Sequence, residues 1–157
     1  MYFKMYRTSI TEIVKRKKMI IRDYEKSDYN ALIQLLFDVY NSEISQETLE
    51  TNYITSKRKI FVAVDEQGVL CGCTFVEIQE DFVRPNKVAY VTYVAVSEKY
   101  RKQGIGKKLL EAIENLCKEK DCSSIELTSA DYRIGAHAFY NSIGFSKKKT
   151  TIFIKEV

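Results

Sequence analysis

Proline is nearly missing from this chain: Pro85 stands alone among 157 residues. Histidine is as scarce, with only His137. One imidazole and four cysteines without a CxxC pair supply no recognisable zinc set, so no metal is expected. No run approaches the roughly 18 apolar residues that a membrane span needs. The basic first residues lack the apolar core of a secretory signal. The thiols of Cys71, Cys73, Cys117 and Cys122 read as reduced, partly buried groups of a cytoplasmic protein. Cys71 and Cys73 flank Gly72 in a strand-like run, and strand alternation puts both on one face. No linker, repeat or low-complexity tract divides the chain, and its length suits one domain.

What is present is 45% hydrophobic and 29% charged, the balance of a globular protein. The net charge of +4 is unevenly spread. Residues 1–18 hold Lys4, Arg7, Lys15, Arg16, Lys17 and Lys18 against Glu12 alone, which leaves 19–157 close to neutral. The basicity therefore belongs to a leader, and neither nucleic acid nor membrane is expected as a partner. At Met19 the pattern changes to strand and then helix, so residues 1–18 read as a basic extension and 19–157 as one domain.

Met19–Tyr24 predicts a short strand. Ser27 or Asp28 can cap a helix over Tyr29–Tyr40 that carries Leu32, Leu35, Leu36 and Val39 on one face. Ser45–Ile54 predicts a second, weaker helix. Lys59–Asp65 and Val69–Gln79 read as strands joined at Asp65-Glu66-Gln67-Gly68. Lys87–Val96 is dense in Val, Tyr and Thr, hence a third long strand. Ile105, Leu109, Leu110, Ile113, Leu116 and Cys117 then recur at helical spacing. Cys122–Ser129 reads as a strand and Arg133–Ile143 as a helix stopped by Gly144. Phe145–Ser146 and Thr150–Lys155 predict a last strand region. The order β-α-α-β-β-β-α-β-α-β implies an α/β (α+β) fold, a mixed sheet with helices on both faces.

The stretch YRKQGIGKKLL, Tyr100 to Leu110, places Gly104 and Gly106 inside a cationic cluster at a helix start. Glycine there costs backbone entropy, so the bare backbone must serve something. The first N–H groups of a helix have no partner inside it, and the helix dipole adds about half a positive charge. With Arg101, Lys102 and Lys107 this makes a phosphate cradle, best suited to a pyrophosphate. The spacing is not that of a P-loop, and Leu109 stands where a dinucleotide fingerprint needs its third glycine.

Arg101-x-x-Gly104-x-Gly106, followed by Arg133-x-x-Ala136-His137-x-Phe139-Tyr140-x-x-x-Gly144-Phe145, resembles the GCN5-related N-acetyltransferase (GNAT) family from Met19 onward. The first segment matches that family's pyrophosphate motif, (Q/R)xxGx(G/A), and the second its distal helix. The resemblance implies a central sheet of about six to seven strands. It implies acetyl-CoA as cosubstrate, wedged between the strand ending Val94-Ala95-Val96 and the strand Ile125–Ser129. Main-chain groups at Val94, Ala95 and Val96 would hold the pantetheine arm and polarise the thioester carbonyl. Arg101, Lys102, Gln103, Gly104, Ile105, Gly106 and Lys107 would hold the pyrophosphate. Arg133, Ala136 and Phe139 would line the far side, although many members have asparagine where Arg133 stands. Tyr140 matches the tyrosine that protonates the departing thiolate.

The implied reaction is direct attack by a primary amine in a ternary complex, which needs a neutral amine, a polarised carbonyl and an acid for sulfur. Several members carry a glutamate on the long central strand, but here Tyr90-Val91-Thr92-Tyr93 offers no carboxylate. Glu77 on the neighbouring strand is the first substitute base, with Glu80 and Asp81 behind it. His137, on the cofactor-side helix, reads as a packing or surface residue. Asp38, Glu43, Glu47 and Glu50 make the first helical region acidic, which leans towards a small, cationic amine rather than a protein amine. A homodimer is compatible with this reading. The alternative is a module that binds or senses acyl-CoA without turnover.

Overall fold

The computed structural model describes residues 18–157. The basic extension expected over 1–18 lies outside them but for Lys18, whose N–H donates to Glu66 Oε1 at 2.9 Å. The strands are β1 (Ile20–Asp23), β2 (Arg58–Val64), β3 (Leu70–Asp81), β4 (Asn86–Val96) and β5 (Ser124–Leu127). The helices are α1 (Tyr29–Tyr40), α2 (Ile105–Lys120) and α3 (Ile134–Ser142), with a π-helical segment over Thr48–Tyr53. Among the described residues, no helix is long and apolar enough to cross a membrane.

The sheet runs β1-β2-β3-β4-β5 in sequence order. The first three pairings are antiparallel, whereas β4 and β5 are parallel. Parallel neighbours need a crossover, and α2 supplies it. Alternation along β2 divides the core between two layers. Phe61 and Ala63 pack with Leu109, Leu110 and Ile113 of α2. Ile60, Val62 and Val64 pack with Leu32, Leu35 and Leu36 of α1. Each fully buried leucine contributes about 1.5–3 kcal/mol by leaving water.

Two bulges break the alternation. Ala63 pairs with Gly72 and Val64 with Leu70, so Cys71 is an extra residue in β3. Cys71 therefore joins the α2 layer and Cys73 the α1 layer, not one shared face as alternation predicts. A Cβ on Gly72 would meet Ile105 Cγ2 at 3.0 Å and Ala95 O at 3.1 Å, so the sheet approaches α2 closely there. The second bulge leaves Thr92 extra in β4, because Phe75 pairs with Tyr93 but Val76 with Val91.

Other expectations also need correction. The sheet has five strands among the described residues, fewer than the six to seven expected. The last strand, expected over Phe145–Ser146 and Thr150–Lys155, makes no ladder; Ile152, Phe153 and Ile154 are 75%, 91% and 87% exposed. β-propensity is satisfied only where a partner edge pairs with the segment. The helix expected over Ser45–Ile54 opens with Ser45 Oγ accepting the Thr48 N–H at 3.1 Å, but widens into a π turn that closes from Ile54 N–H to Leu49 O. Asp28 does not cap α1 with its side chain. Its carboxylate instead holds Arg22 through bonds of 2.6 and 2.8 Å and accepts the Glu25 N–H. The Arg22 hydrogen bond draws it below the usual carboxylate range against the opposing effect of burial.

Candidate active site

Parallel pairing between β4 and β5 begins at Val88–Ser124 and stops at Val91–Leu127, while β4 continues to Val96. The change comes at the Thr92 bulge, where an extra residue bends and twists the strand. Past that point a cavity of about 170 Å³ opens between the strands, walled by Tyr40, Tyr93, Val94, Ser129, Arg133 and Tyr140 among others. Tyr40 OH donates to Val94 O at 2.7 Å, and Arg101 Nε donates to Val96 O at 3.4 Å. Each carbonyl keeps a second lone pair. Ala95 is buried and turns its side chain into the α1 layer.

Gly104 opens α2 with φ +81°, left-handed backbone that glycine adopts without strain. Among the described residues, no side chain caps this terminus. The first helical bond runs from Lys108 N–H to Gly104 O at 3.1 Å, so the N–H groups of Ile105, Gly106 and Lys107 have no acceptor within their helix. Arg101, Lys102, Gln103 and Lys107 are exposed around them. Ile105 is buried and can offer only its main chain. Gly106 has a second reason to be glycine: a Cβ there would lie 3.0 Å from Phe139 Cζ.

Phe139 and Tyr140 follow each other on α3, with ring centroids 5.3 Å apart. Burial pushes the Tyr140 phenol above its ordinary pKa, Tyr40 adds to this, and the Arg133 cation opposes it. The phenol is therefore protonated at neutral pH, as a proton donor must be. Arg133 stands just before α3 with its guanidinium carbon 5.9 Å from the centre of the Tyr40 ring. Ala136 and His137 are half-buried, and neither lines the cavity.

The carboxylates lie elsewhere. Glu77 sits opposite Arg58 across β2 and β3, and both its oxygens are engaged, at 3.0 and 3.4 Å. It is not among the residues that line the cavity. Glu80 pairs with Lys57 at 3.7 Å, and Asp81 caps its turn by accepting the Val83 and Arg84 N–H groups. Asp38 accepts from Gln34, and Glu50 is tied to Lys26, Tyr24 and Gln46. Glu43 lines a separate groove beside α1, while Glu47 is exposed and lines neither that groove nor the cleft. Among the described residues, no group of three or more His, Cys, Asp or Glu is placed to hold a metal ion.

The structure adds residues that sequence reasoning did not single out. Tyr40, Tyr93, Phe75 and Tyr53 form a row of edge contacts at 5.2, 5.6 and 5.1 Å beside the cleft. The Arg58 guanidinium lies over the far end, 5.7 Å from the Tyr53 centroid. Ser129 Oγ is buried in the cavity wall with no hydrogen-bond partner among the described residues. No periodicity marks these side chains, because they converge from α1, the π segment, β2, β3, β4 and the loop after β5.

Comparison with known proteins agrees with the geometry. Residues 22–145 match the model of the acetyltransferase (GNAT) family. Probable N-acetyltransferase 14 of Xenopus tropicalis is 30% identical over 93 residues, which is 59% of this chain and 43% of that protein. This chain thus spans less than half of that relative's length. Glucosamine 6-phosphate N-acetyltransferase of Arabidopsis thaliana is 27% identical over 143 residues, 88% of this chain and 94% of the relative. An aminoglycoside N-acetyltransferase solved in complex with CoA shares the fold, with a TM-score of 0.77 at 18% identity over 89% of this chain and 95% of that one. The family match reaches from the end of β1 to Phe145, across the α2 glycines and the whole of α3, and on that ground the chain belongs to the GNAT acetyltransferase family.

Proposed function

We propose that this domain transfers the acetyl group of acetyl-CoA to a small primary amine by direct attack in a ternary complex. The observation that carries the reading is the parting of β4 from β5 beside Tyr140, with the uncapped N-terminus of α2 close at hand. The residues present fit the cosubstrate. Three N–H groups without helical acceptors and the cations Arg101, Lys102 and Lys107 suit a pyrophosphate. Gln103 donates to Lys99 O and shapes the turn before them. The main chain of Val94, Ala95 and Val96 offers a strand edge to the amides of a pantetheine arm, with Arg133, Ala136 and Phe139 opposite.

Acetyl-CoA supplies the activated acetyl thioester, and the chain's own groups do the rest. Main-chain donors on β4 orient and polarise the carbonyl. Tyr140 holds a proton for the leaving sulfur. Glu77 is assigned to receive the amine's proton through water, for which its pair with Arg58 must open. The test is release of free thiol from acetyl-CoA across a panel of primary amines. Amine-dependent release supports transfer.

One observation favours a second reading, a module that binds acyl-CoA without turnover: among the described residues no carboxylate lines the cleft, and Glu77 is engaged by Arg58. Tight binding of CoA with no thiol release from any amine would select it.

A further inference from the structure

The cleft has a charge of one sign. Among the described residues that line it, Arg133 carries the only formal charge, and the rest are aromatic, aliphatic or hydroxyl-bearing. None of the ion pairs found among the described residues involves Arg133. A second feature points to a ligand at the same place. Ser129 Oγ is buried in that wall without a partner among the described residues, and a buried hydroxyl left unpaired is costly. A guanidinium and a free hydroxyl donor, with no acid between them, make a site for an anionic group. The acids that suggest a cationic acceptor, Asp38, Glu43, Glu47 and Glu50, do not line this cavity. A polyamine would set further ammonium charges against the Arg133 guanidinium.

We propose that the acceptor is a primary amine that also carries a carboxylate or phosphate, held by the Arg133 guanidinium and the Ser129 hydroxyl so that the amine faces Tyr140. The inference rests on the acetyl-transfer reading and names the substrate class of that site. The cosubstrate's own phosphates are the rival anion, but they belong at the other end of α3. Phe139 packs on Gly106 at the α2 terminus, while Arg133 precedes α3. Six helical residues separate the two positions by roughly 9 Å along the axis.

The experiment uses the full chain, acetyl-CoA and matched amines: glucosamine 6-phosphate against glucosamine, and an α-amino acid against its carboxamide. The anionic member of at least one pair should have a kcat/KM higher by about tenfold or more, the scale of one charge-assisted contact. Arg133→Gln should raise KM for that member by about tenfold or more, and by at least about fivefold more than it raises KM for the neutral member or the CoA Kd. Arg133→Lys should restore part of the loss, and Ser129→Ala should act in the same direction more weakly. Equal effects on both members, or a preference for neutral or polycationic amines, would overturn the proposal. A rise in CoA Kd alone would assign Arg133 to the cosubstrate and also overturn it. If CoA binds but no amine is acetylated, the transfer reading fails. Calorimetry of the anionic amines on the CoA-bound protein then decides the anion site separately. Binding that Arg133→Gln abolishes supports the site, and absence of binding rejects it.

Discussion

Gly106 lies under the ring of Phe139: a Cβ on residue 106 would come within 3.0 Å of Phe139 Cζ. The contact joins the first turn of α2 to the helix that carries Tyr140. It also separates two glycines that look equivalent in sequence. Gly104 is required by its φ of +81°, and a Cβ there would meet nothing within 4 Å. Gly106→Ala should therefore destabilise the fold by about 1–3 kcal/mol through overpacking. Phe139→Leu should relieve much of that cost in the double variant, a coupling that denaturant midpoints of the four proteins measure. Additive losses would show that Phe139 does not sense residue 106.

Tyr140→Phe keeps the ring and removes the proton. The expected result is a fall in kcat of about 10²-fold, the lower end for a lost general acid, with CoA Kd unchanged. Burial holds the phenol above its ordinary pKa, so no loss of rate from its ionisation is expected between pH 7 and 9. Unchanged kcat, with chemistry rate-limiting, would leave acid duty to water.

Glu77→Gln probes the proton's other end. If Glu77 takes the amine's proton, kcat should fall by about 10²-fold with CoA Kd unchanged. Stability should stay close to the parent's, because the pair with Arg58 is partly exposed on both sides. A rate equal to the parent's removes Glu77 from the mechanism.

Alkaline pH should weaken the fold through tyrosines. Burial, with a hydrogen bond to Glu50, pushes Tyr24 up to about 12. A folded pKa above the unfolded value of about 10 means that this contribution is fully present below pH ~10 and is lost as pH rises towards the folded value. Tyr40, Tyr53, Tyr100 and Tyr140 are shifted in the same direction. Thermal midpoints between pH 9 and 12 should decline, and Tyr24→Phe should make the decline shallower. Parallel curves for the two proteins would contradict the assignment.

The sequence by itself determined what local chemistry controls. The turn Asp65–Gly68 is legible because Gly68 takes φ +79° and Asp65 Oδ1 accepts the N–H groups of Gln67 and Val69. The α2 stripe is legible because its buried positions follow the helical period. The glycine opening of α2 and the order of two motifs were enough to indicate the family. The bulges at Cys71 and Thr92 were not legible, because an extra residue in a strand is defined only by its partner's register. The strand expected at the C-terminus was not legible either, since a strand exists only when another edge bonds to it. Charge was the least legible of all. Sequence gives the number of acids near a site, but partners distant in the chain decide where they act. Arg58 takes Glu77, Lys26 takes Glu50, and Arg133 is left as the one charge in the wall of the cleft among the described residues, because the fold brings no acid to it.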